Sequence, residues 1–141
     1  MVQDLFKRPK LVEFDEDFEF EMMRGDTLSL QIVLAGEAPD GTISPYVITG
    51  ARIRMTVRKT HDDSIIFAKD SNISGDVTVL DATGLVLRLG GSVFELNIFP
   101  SNTNSVVPAR YVWDVEITDA SGSIHTPIKG FMNLLADVTR P

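Results

Sequence analysis

From Glu13 to Met22 the chain alternates with a period of two: Glu13, Asp15, Asp17, Glu19 and Glu21 fall on one side, Phe14, Phe18, Phe20 and Met22 on the other, with Glu16 the exception. Wound into a helix, these letters would spread carboxylates and aromatics around the whole circumference. Only a pleated strand separates them. Arg24, Gly25 and Asp26 read as a turn, after which Leu28, Leu30, Ile32 and Leu34 alternate with Ser29, Gln31 and Val33. A hairpin is the expectation there. The stretch from Gly36 to Gly50 holds three Gly and two Pro and reads as a loop long enough to cross between sheets.

Ile53, Met55 and Val57 then alternate with Arg52, Arg54, Thr56 and Arg58. Shorter apolar runs follow at Ser64–Ala68, Val77–Leu80, Gly84–Leu89 and Val93–Phe99, each bounded by Gly, Asp, Asn or Pro. Tyr111, Trp113, Val115 and Ile117 alternate with Val112, Asp114 and Glu116, and the turn at Asp119–Gly122 opens a last strand from Ile124 toward Val138. Pro127 cannot donate to a ladder, so an edge or a bulge is expected beside it. The one helical turn expected is Pro100–Ser105.

This spacing predicts an all-β fold: a two-sheet antiparallel β-sandwich, immunoglobulin-like or related, with about seven to nine strands. Met1–Phe14 is expected to be an extended N-terminal arm and residues 15–141 the sandwich. The predicted core contains Phe20, Leu30, Ile32, Ile53, Met55, Leu87, Trp113 and Val115.

The 141 residues suit one domain. No apolar run approaches the length of a membrane span, and Met1–Leu11 lacks the apolar segment of a secretory signal, so a soluble chain folding in a cytoplasm is expected. There is no cysteine, which removes disulfides, thiolate metal sites and thiol catalysis. A net charge of −7 opposes contact with phosphate backbones, so neither nucleic acid nor membrane is expected as a partner.

Catalytic motifs are missing: there is no phosphate-cradling glycine loop, nucleophile elbow or pair of histidines at metal spacing. His61 lies in a polar turn with Asp62 and Asp63, and Ser123 and His125 are about 7 Å apart on a strand, too far for an activated nucleophile. The reading is therefore not an enzyme, with no catalytic residue, cofactor or metal. A carboxylate-pair hydrolase would need two facing carboxyls in a pocket. A carbohydrate-binding module for host surface glycans is the alternative function, with Tyr46 in the Gly-rich loop its one aromatic candidate.

The acidic ladder at Glu13, Asp15, Asp17, Glu19 and Glu21 has members about 6.6–6.8 Å apart, too far to converge on one calcium ion. It reads either as a charged edge that resists aggregation or as a surface that docks on a basic row. Arg52, Arg54 and Arg58 of this chain or of a neighbouring copy supply such a row, and a different protein is the other candidate. The candidate interface comprises these residues together with Leu5, Phe6, Lys7 and Arg8 of the arm.

One succession of segments goes beyond periodicity: Arg24-Gly25-Asp26-Thr27, Ile48-Thr49-Gly50-Ala51, Tyr111-Val112-Trp113-Asp114-Val115-Glu116-Ile117, Gly130-Phe131-Met132-Asn133-Leu134 and the closing Asp137-Val138-Thr139-Arg140. It resembles small β-sandwich proteins of tailed bacteriophages, similar to the N-terminal domain of baseplate upper proteins, over roughly Phe18 to Arg140. The resemblance implies a structural virion protein of the tail or baseplate, present in the host cytoplasm during assembly. Its expected partners are other tail and baseplate proteins in a symmetric multi-subunit assembly. Such relatives are often the first domain of a longer chain; with its last residue at Pro141, this chain is expected to be a small adaptor rather than a receptor-binding device.

Overall fold

The computed structural model describes residues 8–11 and 17–137, with side chains from Phe18 to Asp137. Along them run β1 (Arg8–Leu11), β2 (Asp17–Met23), β3 (Leu28–Glu37), β4 (Ile43–Pro45), β5 (Arg52–Arg58), β6 (Ile65–Asp70), β7 (Val77–Asp81), β8 (Ser92–Ile98), the helical turn α1 (Pro100–Thr103), β9 (Arg110–Thr118) and β10 (Ile124–Leu135). One sheet has the order β1-β3-β8-β7, with β4 also on β3; the other has the order β2-β10-β9-β5-β6. All pairings are antiparallel except β2 with β10, which is parallel. The predicted sandwich is the observed fold.

Alternation decides which side chains meet between the sheets. Ile32, Leu34, Phe94, Leu96 and Ile98 of one sheet pack against Ile53, Met55, Trp113, Val115, Ile117 and Met132 of the other, all essentially excluded from solvent. Trp113 anchors this layer, with Phe18 and Phe20 edge-on to its ring at 5.6 and 5.5 Å. β2 reaches the ring because Gly130 of β10 lets the backbones approach. A Cβ there would fall 1.7 Å from the Phe18 carbonyl oxygen. At the β6 margin Lys69 is buried 3.5 Å from Asp76 and 4.4 Å over the Phe99 ring, and burial lowers its pKa against the pull of Asp76.

Four expectations change. Arg24–Asp26 does not close a hairpin, since β2 and β3 belong to different sheets. The turn is instead tied down on both sides: Arg24 N–H donates to the Leu135 carbonyl at 3.0 Å, and Gly25 N–H to Thr103 Oγ1 at 2.8 Å. Four residues of the expected arm, Arg8–Leu11, run as an edge strand paired with Leu34–Glu37 of β3. The run Gly84–Leu89 forms no strand, and Leu87, expected in the core, is exposed. Tyr46, expected on the surface of its loop, is buried, and burial followed by the nearby Asp119 carboxylate pushes its pKa up to about 12. The crossing at Gly36–Gly50 does connect the sheets, with β4 formed inside it. The ladder next to Pro127 shifts register between His125 and Ile128, as a missing N–H requires.

Candidate protein interface

The outer face of the β2-β10-β9-β5-β6 sheet collects the charged positions. Because successive side chains alternate faces, the residues between the core positions of β2, β9 and β5 point outward together. The register places Glu19, Phe131, Val112 and Arg58 in one row across four strands, and Asn133 between Glu21 and Arg110 in the next. Glu19 Oε1 accepts a hydrogen bond from Asn133 Nδ2 at 2.6 Å and lies 3.7 Å from Arg110 Nη2. The Arg110 guanidinium stacks 3.9 Å over the Phe131 ring. At the opposite edge Arg52 grips Asp70 with two bonds, Nε–Oδ1 at 3.1 Å and Nη2–Oδ2 at 2.5 Å. That contact holds the Asp70 carboxyl below the usual range and raises the guanidinium.

Between these edges Arg54, Thr56, Arg58, Asp114 and Glu116 line an open depression of about 110 Å³, with Thr56 Oγ1 donating to Asp114 at 3.0 Å. Two cations and two carboxylates so arranged present charge of both signs on the open face.

Of the candidate interface residues, Glu19, Glu21, Arg52, Arg54 and Arg58 share this face. The acidic and basic rows are separated by β10 and β9, about 14 Å by strand spacing, so Glu19 is met by Arg110 instead of by the arginine row. Leu5, Phe6, Lys7, Glu13 and Asp15 lie outside the described residues, while Arg8 and Asp17 are placed by their backbone in β1 and β2. Sequence reasoning missed Arg110 and Phe131. Both stand at outward positions, next to Tyr111 and Met132, so the parity of β9 and β10 was the available signal.

The histidines do not converge with a nucleophile. His61 is exposed in its turn, and His125 Nε2 lies 3.8 Å from Asp119 Oδ2, with the Tyr46 ring edge-on at 6.4 Å. Among the described residues no group of three or more His, Asp or Glu side chains could hold a metal ion. None of their helices is long and apolar enough to cross a membrane.

Strand order and face together define the class. Taking β1, β3, β5, β7, β8, β9 and β10 as strands A to G gives A-B-E-D against G-F-C, with β6 extending the second sheet beyond C. This is an immunoglobulin-like sandwich. The Tyr111 hydroxyl donates to the Val107 carbonyl four residues upstream, the corner bond expected at the start of strand F. No family model matches the chain, and no curated protein matches it. Among solved structures it is similar to one of murine CRIg, at 15 % identity and a TM-score of 0.36, over 93 % of this chain and 98 % of that one.

Proposed function

We propose that this chain is a non-enzymatic structural subunit of a phage tail or baseplate, an adaptor that bridges larger tail or fibre components. The resemblance of its ordered segments supplies the assembly. The open charged face supplies the mode of contact, and it is the observation that carries the reading: an acidic strand at one edge, an arginine strand near the other and an Arg110–Phe131 stack between them. Complementary charge on a neighbour would set register and speed encounter, while repetition of the contact around a tail axis multiplies weak affinity.

The displaced carboxyl groups fit this use. Asp40, Asp70, Asp81 and Asp119 are all held below the ordinary range, the direction produced by anchoring hydrogen bonds and opposite to that of a general acid. Burial of Tyr46 removes the aromatic platform on which glycan binding was to rest. The test is co-production with the other virion proteins. Glu19→Lys with Glu21→Lys should abolish the complex at physiological salt, and an unchanged complex would defeat the assignment of this face.

A further inference from the structure

A second surface lies where β7 turns into β8. Asp81, the last residue of β7, is buried, and its carboxylate accepts backbone N–H groups of Thr83 (3.2 Å), Gly84 (2.8 Å), Val86 (3.2 Å) and Leu87 (2.9 Å). Burial works to raise its pKa, and these donors outweigh burial and hold the carboxyl ionised. The loop is further bent by Arg88, whose φ of 55° is left-handed and costly for a residue with a Cβ.

So built, the loop turns Leu85, Val86, Leu87 and Leu89 outward. It backs onto the β4 segment: a Cβ on Gly84 would fall 2.4 Å from that of Pro45, and Ile48 N–H donates to the Ala82 carbonyl at 2.8 Å. Ile43 and Val47, two residues to either side of Pro45, join the four loop side chains, and all six are 45–72 % exposed. Residues 41–51 carry no charge, and residues 82–94 carry only Arg88. In a chain of net charge −7 this end of the sandwich is an apolar exception.

We propose that this end is a homodimer interface, covered by a second copy of the chain about a two-fold axis. Six half-exposed Leu, Ile and Val side chains offer on the order of 300–500 Å² of apolar surface, which matches the apolar core of a standard interface of about 800 Å² per partner. Charge fits a copy of the same surface. Arg88 stands on the loop side, and Asp40 lies in the turn before β4, three residues from Ile43. A two-fold axis makes every cross-contact reciprocal, so a docking that sets Arg88 of one copy against Asp40 of the other forms that ion pair twice. Glu37, the cross-strand partner of Ile43, borders the patch, and charge beyond it is screened by salt. The loop is already fixed by Asp81, so association need not order it.

The test is sedimentation equilibrium of the purified chain from about 1 to about 100 µM, beside flotation with phosphatidylcholine vesicles. The wild type is expected to reach twice the monomer mass. Leu85→Ser with Val86→Ser should remain monomeric with unchanged circular dichroism, and should melt with the wild type at concentrations where both are monomers. Arg88→Glu should weaken the dimer about tenfold or more, and Arg88→Glu combined with Asp40→Arg should recover it. A wild-type monomer throughout overturns the proposal, as does a dimer indifferent to the loop variants. A monomer that floats with vesicles and loses this with Leu85→Ser and Val86→Ser assigns the patch to a lipid surface, which also overturns it. Glu19→Lys with Glu21→Lys, on the other sheet, should leave the dimer intact, so this reading and the adaptor reading fail separately.

Discussion

Two connections in this sandwich are built by the same device and display opposite surfaces. At the β9–β10 turn, Asp119 Oδ1 accepts the N–H groups of Ser121 and Ser123, each at 3.0 Å, and the Ser121 hydroxyl at 2.6 Å. At the β7–β8 loop, Asp81 collects four N–H groups. A carboxylate near the end of a strand organises both. The first turn shows serines to water, as a solvated turn should. The second shows Leu85, Val86, Leu87 and Leu89, against the preference of those side chains. Anchoring therefore explains the shape of each loop but not the cargo of the second, and the exposed leucines point to a surface that becomes covered.

The largest effect expected from breaking this comparison is on Asp81. Asp81→Ala strands four N–H donors in a partly buried loop and should lower the melting temperature by on the order of 10 °C. Asp119→Ala should cost less than half as much, because the serine N–H groups can turn to water. Equal shifts in scanning calorimetry would dissolve the distinction between the loops.

Next come the glycines. Gly84 has a φ of 82° and no room for a Cβ beside Pro45, so Gly84→Ala should destabilise by about 2–4 kcal/mol. Gly122 has a φ of 92° but open space around it, and Gly122→Ala should cost only the backbone strain, about 1–2 kcal/mol. Urea unfolding of the two variants measures the difference directly.

Acid sharpens the comparison further. For Asp119 the Ser121 hydroxyl is the leading cause of the lowered pKa; for Asp81 the backbone donors overcome burial. With the folded pKa below the unfolded value, each carboxylate contributes its full stability above about pH 4, and that contribution is lost as pH falls through the folded pKa. Urea midpoints measured down to about pH 2.5 should fall steeply for the wild type and more gently for Asp81→Asn, which has no proton to take up. The smallest effect on stability belongs to the cargo. Leu85→Ser should change the unfolding free energy by no more than about 0.5 kcal/mol while weakening self-association, and Ser121→Leu at the polar turn should create none.

Much of the fold was legible because a strand reveals its faces locally. Parity alone identified Phe20, Ile53, Met55, Trp113 and Val115 as inward, and Glu19, Glu21 and the arginines of β5 as outward. Parity does not reveal strand order. That the acidic and basic rows share one face, with Arg110 and Phe131 between them, depends on β10 joining β2 in parallel and β9 in antiparallel register, pairings of residues far apart in the chain. The same limit produced the false hairpin at Arg24–Asp26: two alternating segments with a turn between them fit either one sheet or a crossing, and contacts with Thr103 and Leu135 choose the crossing.

Leu87 marks the deeper limit. The letters from Gly84 to Leu89 suit a buried strand, and hydrophobicity by itself would draw them inward. Asp81 decides otherwise, because a buried anion must be hydrogen-bonded and the nearest available donors are the N–H groups of that run. The amino-acid sequence alone determined the class of fold, the inward residues of the alternating strands and the want of catalytic motifs, since these depend on composition and on side-chain alternation along single strands. The tertiary structure alone decided which strands are neighbours and which charges share a face, contacts between distant segments whose energy no local pattern contains, and it showed which apolar run the Asp81 carboxylate turns toward water by bonding N–H groups two to six residues on.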